Sequence, residues 1–422
     1  ETGEGRKPET ADVTAAAAPK RDRRVSAWSG RHVVLGVSGG IASYKSCVLA
    51  RRLTEAGAQV DVVLTSGAAE FVRPVTFEAL TGRRVLTSLW EPDAALSHIH
   101  LARQGDVLIV APATANLMAR AAQGLADDLL TAILLARGAR PLLLAPAMND
   151  EMFLHPATQG NLGILRARGV AMVGPEIGAL AEGPSERPGR MSEPETIIAH
   201  AARLLRGRTN LSGKRVVVTA GPTREPIDPV RMVTNRSSGR MGYRVAEAAW
   251  ERGAEVTLIS GPVELAPPPG IDLVRIETTA ELEAAVRQAL NSADVLVMAA
   301  APADFRPVSP SAVKRPRQDG ALALPLEPTA DILSATAALR RPGSVMVGFA
   351  LETGDALAKG KAKLERKALD LIVINDALEP GAGFEVDTNR VAILGRDGTS
   401  MILPLQSKRE TAEKILDAVE AR

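Results

Sequence analysis

From Arg31 onward, short aliphatic runs alternate with amphipathic stretches. HVVLGVS, then SYKSCVLARRLTEAGA with apolar residues at helical spacing, then QVDVVLTS, together predict a β–α–β unit. DVLIVAPA and PLLLAPAMN predict further strands, each ending in small or polar residues. Continuous apolar strands bounded by Gly and Pro and separated by helices predict parallel sheets covered on both faces. The pattern restarts at Lys214 with KRVVVTAGPT, a helix around YRVAEAAWERGA, and EVTLISGP. GAQVDVVLTSG in the first half echoes GAEVTLISG in the second, and DVLIVAPATAN echoes DVLVMAAAPAD. Either common descent or the shared grammar of doubly wound folds accounts for the echo. The expected fold class is α/β, with two doubly wound domains whose ligands sit beyond the carboxyl ends of the strands.

Residues 1–30 are polar, Ala- and Pro-rich and aperiodic, and are expected to form a disordered leader. A first domain then spans 31–190, a linker helix within 191–210 (ETIIAHAARLLRG) follows, and a second domain spans 211–422. The stretch 174–194, rich in Gly, Pro and Glu, is not expected to be regular. The chain of 422 residues is 45% hydrophobic but only 3% aromatic, so its cores must be aliphatic. Its 51 basic and 49 acidic residues leave a formal charge of +2, which by itself implies neither a nucleic-acid nor a membrane partner. A lone cysteine, Cys47, excludes an intramolecular disulfide framework and fits a reducing compartment. Neither a membrane-length apolar run nor a secretory h-region is visible, and the cytoplasm is the expected location.

Candidate chemistry clusters at strand ends. Ser38 and Gly39, within Gly36–Ala42, follow a strand and open a helix, where backbone N–H groups approach a phosphate. The run is not GxGxxG, which favours a mononucleotide such as FMN over a dinucleotide. Ser66 ends the next strand, and Pro112-Ala113-Thr114-Ala115-Asn116 ends a third, offering compact contacts to a flat ring. His98 is either a general base or one of a surface pair flanking Ile99. Asn149 either binds a carboxylate or caps the next helix. In the second half, Asn235-Arg236-Ser237-Ser238-Gly239-Arg240 precedes a helix and suits phosphate, or simply caps it. Asp304 ends a strand and is placed to hold a metal or a base edge. Lys363 and Lys367 share one side of a basic helix, spaced as a polyphosphate clamp or as a solvated face.

Over roughly 31–190, SGGIA at Ser38–Ala42, His98-Ile99-x-Leu101, APATAN, PAMN and the later Met152 and His155-Pro156-Ala157-Thr158 resemble the flavoprotein family of cysteine decarboxylases, which includes phosphopantothenoylcysteine decarboxylase. That resemblance implies a flavodoxin-like fold, bound FMN, His98 as base and Asn149 on the substrate carboxylate. It also implies thiol oxidation, loss of CO₂ and hydride return. The family carries a flap cysteine as proton donor, whereas here LAEGPSERPGRM has none. Glu182 stands at its place, and Glu182 or Glu186 is expected to act as a partly buried acid. The alternative is a flavin domain whose decarboxylase activity is impaired.

Over roughly 211–420, TAGPTREPIDPVR, TNRSSGRMG, ADFRP, VGFALET, KLERKALDLIVIND and GFEVDTNRV resemble bacterial phosphopantothenate–cysteine ligase. This implies a Rossmann-like domain that uses CTP and Mg²⁺ to join 4′-phosphopantothenate to cysteine through an acyl-cytidylate. Asn235 would contact the acyl intermediate. Met298, Ala299, Ala300, Asp304, Lys314, Thr329, Ala330, Phe349, Lys363 and Lys367 would bind the nucleotide, and Asp304 the metal. The family's Asn-Pro-Asp-Ile segment reads Thr329-Ala330-Asp331-Ile332 here, which loosens those contacts. The resemblance further implies homo-oligomers: trimers through the flavin domain with FMN between subunits, and dimers through the ligase domain.

Overall fold

The computed structural model describes residues 27–90, 96–315, 323–352, 354–376, 383 and 386–422. The expected leader therefore lies, for residues 1–26, outside the described residues. Its last residues do not behave as a leader, because Trp28 is buried in the first core.

Strands β1 (His32–Val37), β2 (Gln59–Leu64), β3 (Val107–Ala113), β4 (Leu142–Pro146) and β5 (Ala171–Met172) form a sheet in the order β2-β1-β3-β4-β5. All its pairings are parallel, and the order is that of a flavodoxin-like sheet. The alternation along β1 builds two layers. Val33, Leu35 and Val37 pack with Leu49 and Leu53 of helix α1 (Ser43–Glu55), while Val34 turns to the layer holding Leu117, Ile133 and Leu162.

The second sheet uses β6 (Arg215–Ala220), β7 (Glu255–Ser260), β8 (Asp272–Arg275), β9 (Val295–Met298), β10 (Val345–Glu352), β11 (Leu371–Asp376), β12 (Val391–Gly395) and β13 (Ser400–Ile402). The order β8-β7-β6-β9-β10-β11-β12-β13 is parallel through its first six strands, with the dinucleotide-fold arrangement, and ends in an antiparallel pair. Val216 and Val218 pack against helices α2 (Arg240–Glu251) and α3 (Lys408–Glu420), whereas Val217 faces the opposite layer with Leu282 and Leu296.

The helix Pro194–Arg206 is more than a tether. Its Ile197, Ala201 and Ala202 are buried in the first core. Its polar side reaches the second half: the Arg203 guanidinium donates to the carbonyls of Trp250, Gly253 and Ala254 and stacks over the Trp250 ring at 4.8 Å. Arg206 forks onto Glu413 at 2.7 and 2.8 Å.

Candidate functional site

Each sheet opens a cavity at the carboxyl ends of its central strands. The first is 640 Å³ and is lined by Ser38, Gly39, Ser66, Thr114, Ala115 and Asn116, together with Asn149 and Glu182. Two glycine turns meet at its rim: a Cβ on Gly39 would stand 2.6 Å from the Gly67 carbonyl carbon, so only glycine permits this approach. The Ser38 hydroxyl donates to the Pro112 carbonyl at 2.8 Å and accepts from the Thr114 N–H at 3.0 Å. Pro112 and Ala113 therefore lie behind the wall as buried support and do not line it. Thr114 caps the helix Ala115–Gln123, whose first residues face the cavity.

The stretch expected to be irregular contains a small hairpin, with Glu176–Ile177 antiparallel to Pro188–Arg190. Leu180 and Gly183 exchange backbone hydrogen bonds at 2.8 and 3.2 Å, which puts Glu182 at the tip of a tight turn. There its carboxylate accepts from the Asn149 amide. Asn149 also caps the next helix, its Oδ1 accepting from Glu151 N–H at 2.9 Å, so both sequence roles for Asn149 are compatible. Further contacts fasten the hairpin: Ser185 to Asp150 at 2.5 Å, Arg187 to Glu151 at 2.6 Å, and Met148 N–H to the Gly189 carbonyl at 3.1 Å. Glu186 lies outside the lining. The expectation of a partly buried acid is corrected for both Glu182 and Glu186, which are exposed in the single chain, Glu182 because a turn tip projects outward. Lys45, by contrast, is buried at the wall, its ammonium donating to the Met191 carbonyl at 3.1 Å and to Glu193 at 2.9 Å.

His98 lies on the helix Ser97–Gln104 and does not line this chain's cavity. Its Nδ1 is buried and has no hydrogen-bond partner.

The second cavity, 320 Å³, gathers Asn235, Ala299, Ala300, Asp304 and Phe349 of the expected residues, with Ser237, Ser238 and Arg240 at the start of α2. The Asn235 amide donates to the carbonyls of Ala301 and Pro302 at 3.2 and 2.9 Å. Met298 is buried behind the wall. Thr329 braces Asp304 from outside: its hydroxyl donates to the Ala303 carbonyl at 2.6 Å and its N–H to the Asp304 carbonyl at 3.0 Å. Ala330 and Lys314 are exposed and outside the lining. Lys363 and Lys367 are also outside, held in ion pairs with Glu352 at 2.5 Å and Asp331 at 3.0 Å.

Sequence reasoning missed three polar residues of this cavity. Asn375 and Asn389 are buried and joined by a 2.5 Å amide hydrogen bond, and Lys408 is buried beside them. Burial and the nearby Arg240 push the Lys408 ammonium down to about 8, against the pull of Asp387. One signal was available. The Ser407–Glu410 capping box marks a helix start, and a lysine directly after the cap opposes the helix dipole.

Two family models match: the one described as Flavoprotein over residues 23–206, and the DNA/pantothenate metabolism flavoprotein C-terminal domain over 211–422. The coenzyme A biosynthesis bifunctional protein CoaBC of Mycobacterium tuberculosis is 46% identical over 92% of this chain and 96% of its own length. The chain belongs to the CoaBC family. Its members from Bacillus subtilis and Escherichia coli are 44% and 42% identical, each over 93% of this chain and 97% and 98% of their own lengths. In this CoaBC-family chain the lone Cys47 is half-buried within α1, and burial raises its thiol pKa, so the hairpin offers no thiol. No group of three or more metal-ligating side chains occurs among the described residues, and Asp304 is the single acid lining the second cavity. No helix among them is long and apolar enough to cross a membrane.

Proposed function

We propose that the chain performs two consecutive steps of coenzyme A synthesis in the cytoplasm, with domains divided near residue 210. The second half condenses 4′-phosphopantothenate with cysteine at the expense of CTP. The first half decarboxylates the resulting 4′-phosphopantothenoylcysteine to 4′-phosphopantetheine. The observation that carries this reading is the pairing of two dissimilar cavities in one family member, one glycine-edged and the other ringed by hydroxyls and cations.

The first cavity fits FMN: small residues and the Gly39–Gly67 approach leave room for a flat ring, and the turns at Ser38 and Ser66 present N–H and hydroxyl groups to a phosphate. FMN, when bound, supplies the two-electron thiol oxidation that permits loss of CO₂. The Asn149 amide would hold the substrate carboxylate, and Glu182 beside it would deliver the final proton to carbon. His98, outside its own chain's cavity, would act as base in that of a neighbouring copy. Ile41 and Tyr44 line the cavity yet are 63% and 59% exposed, an apolar rim that such a trimer would cover.

In the second cavity Asn235 would orient the acyl group. Asp304, Phe349 and the strand end at Ala299–Ala300 would seat the nucleotide, with Met298 and Thr329 supporting them. Mg²⁺ commonly binds through one or two carboxylates plus substrate phosphates, so Asp304 alone is a sufficient protein ligand. Lys314, Ala330, Lys363 and Lys367 would join once nucleotide binding draws their segments inward. Dimerisation of this half is part of the same proposal.

Purified protein given 4′-phosphopantothenate, cysteine, CTP and Mg²⁺ should yield 4′-phosphopantetheine by mass spectrometry. Accumulation of 4′-phosphopantothenoylcysteine alone would instead favour an active ligase with an impaired flavin half, the reading that the missing flap thiol supports. Absence of both products would refute the proposal.

A further inference from the structure

Three observations converge on the inner wall of the second cavity. First, among the described residues the cations that line it are Arg240 and Lys408, against the single acid Asp304. The lysines expected to clamp a polyphosphate, Lys363 and Lys367, are engaged with Glu352 and Asp331 outside the lining. Second, Lys408 is only 4% exposed and occupies the first position of α3, where the helix dipole disfavours a cation. Its ammonium donates to the Gly383 carbonyl at 2.9 Å. A buried cation at a helix N-terminus breaks two local rules at once, and such violations belong where a site requires them. Third, the buried Asn375 Oδ1 in the same cavity has no hydrogen-bond partner, although its Nδ2 is bonded to Asn389. Turned over together, the two amides would leave Nδ2 as the free atom instead, so in either orientation one polar atom awaits a ligand. Asn389 Nδ2 meanwhile reaches, among the described residues, the Met241 sulfur at 3.8 Å.

We infer that Lys408, acting with Arg240, binds the terminal phosphates of the nucleotide and takes up the charge of the pyrophosphate that leaves. This deepens the ligase reading and rests on it. In the step concerned, a carboxylate oxygen of the substrate attacks the α-phosphorus of CTP. The bond from that phosphorus to the oxygen bridging the β-phosphoryl group breaks, and pyrophosphate departs with the electron pair. The added negative charge falls on the departing phosphates, where a water-shielded ammonium acts strongly because little solvent screens it. The surroundings suit this role. Asp387 pairs with Arg240 at 2.9 Å but is itself 90% exposed, so it screens the two cations weakly. Ser237 and Ser238, before the N-terminus of α2, line the same cavity with hydroxyls. Burial and the neighbouring Arg240 charge lower the ammonium pKa, and a polyphosphate bound beside it would raise it again.

The probe is inorganic pyrophosphate with Mg²⁺, titrated calorimetrically into the full chain as wild type, Lys408→Met and Lys408→Arg. Lys408→Met keeps the aliphatic stem and should weaken pyrophosphate binding about tenfold or more, the range of a charge-assisted contact. KM for CTP should rise in parallel, while KM for cysteine stays unchanged. Lys408→Arg should recover most of the binding, which a role in packing alone would not predict. Wild-type affinity in Lys408→Met, or failure of Lys408→Arg to recover any, would overturn the assignment. Pyrophosphate binding needs no turnover, so a chain that binds it through Lys408 yet makes no product with CTP would refute the ligase reading, and with it the leaving-group role, while leaving Lys408 a pyrophosphate-binding residue.

Discussion

Gly30 donates to the Gly57 carbonyl in the first half, and Gly213 donates to the Gly253 carbonyl in the second, each at 3.1 Å. The four glycines match in pairs, with φ of 73° and 74° at Gly30 and Gly213 and of 95° and 92° at Gly57 and Gly253, a region glycine occupies without strain. Asp106 receives the His32 N–H at 2.8 Å, and Asp294 receives the Arg215 N–H at 2.9 Å. The sequence echoes thus occupy equivalent places, because β2 and β7 flank the first strand of their sheets on one side and β3 and β9 on the other. The halves part at the first strand-to-helix connection. Residues 38–42 join β1 to α1, whereas residues 221–239 intervene between β6 and α2. The longer connection carries its own strand pair, Arg224–Pro226 with Met232–Thr234, and delivers Asn235, Ser237 and Ser238 to the second cavity. The short one leaves glycine edges that shape a slot. The central strands are arranged alike in two otherwise different sheets, and the loop after the first strand sets the two cavities apart.

The largest expected effect tests whether the first half completes its reaction with the hairpin tip. Glu182→Gln keeps a partner for Asn149 but has no proton to give. Decarboxylation of supplied 4′-phosphopantothenoylcysteine should fall about a hundredfold or more, the usual scale for general acid catalysis, with CTP-dependent ligation unchanged. Full turnover in Glu182→Gln would return the proton to another source and leave the tip glutamate a mere tether.

How far the sequence carried these sites follows from where each signal resides. The alternation of strands and helices followed from aliphatic runs and the small residues that end them, since both are local, whereas the order of the strands was not read from the sequence. The choice between Glu182 and Glu186 was not local, because it depends on the Leu180–Gly183 turn and on Asn149 standing across from it. Lys363 and Lys367 read as a clamp from their spacing, and no spacing could reveal that Glu352 and Asp331 reach them from other elements. Lys408 stood in plain view at a capped helix start. Its neighbour Arg409 turns instead to Glu251 and Glu413, so adjacent basic residues serve a cavity and an ion cluster.

That cluster links the halves and yields the middle effect. Glu413 receives Arg206 from the first half's last helix, as well as Arg252 and Arg409. Burial works against its charge, but the hydrogen bonds from Arg206 and Arg252 outweigh it and hold the carboxyl at about 2, below its ordinary 4.5. A depressed carboxylate contributes its full stability above about 4.5 and loses it as pH falls from there toward 2. Glu413→Ala removes the carboxylate that three guanidiniums share, although Arg206 and Arg409 keep Glu251 and Arg252 keeps Asp417 and Glu420, and should cost roughly 2 kcal/mol, read as a lower denaturation midpoint at pH 7. The gap between wild type and variant should narrow on acidification through that window. A gap independent of pH would mean that packing, and not the shared carboxylate, joins the halves.

The smallest effect sharpens the second half's side of the comparison. Lys367 can serve CTP only after leaving Asp331, whose carboxyl is held below its usual range by that lysine despite the opposing effect of burial. Asp331 is 42% exposed at its side chain, so the pair is worth about 0.2–1 kcal/mol, as partly exposed ion pairs are. Asp331→Asn can still cap the short helix Ile332–Thr336 through its side-chain oxygen while releasing the lysine. KM for CTP should then fall by about 1.4- to fivefold, the pair energy converted to a ratio, with decarboxylation unaffected. A rise in KM would show that Asp331 itself faces the nucleotide or its metal, and that Lys367 remains part of the surface ion pair. The phosphates would then depend more heavily on Arg240 and Lys408, and the two cavities would differ not only in their loops but in where their charge is stored.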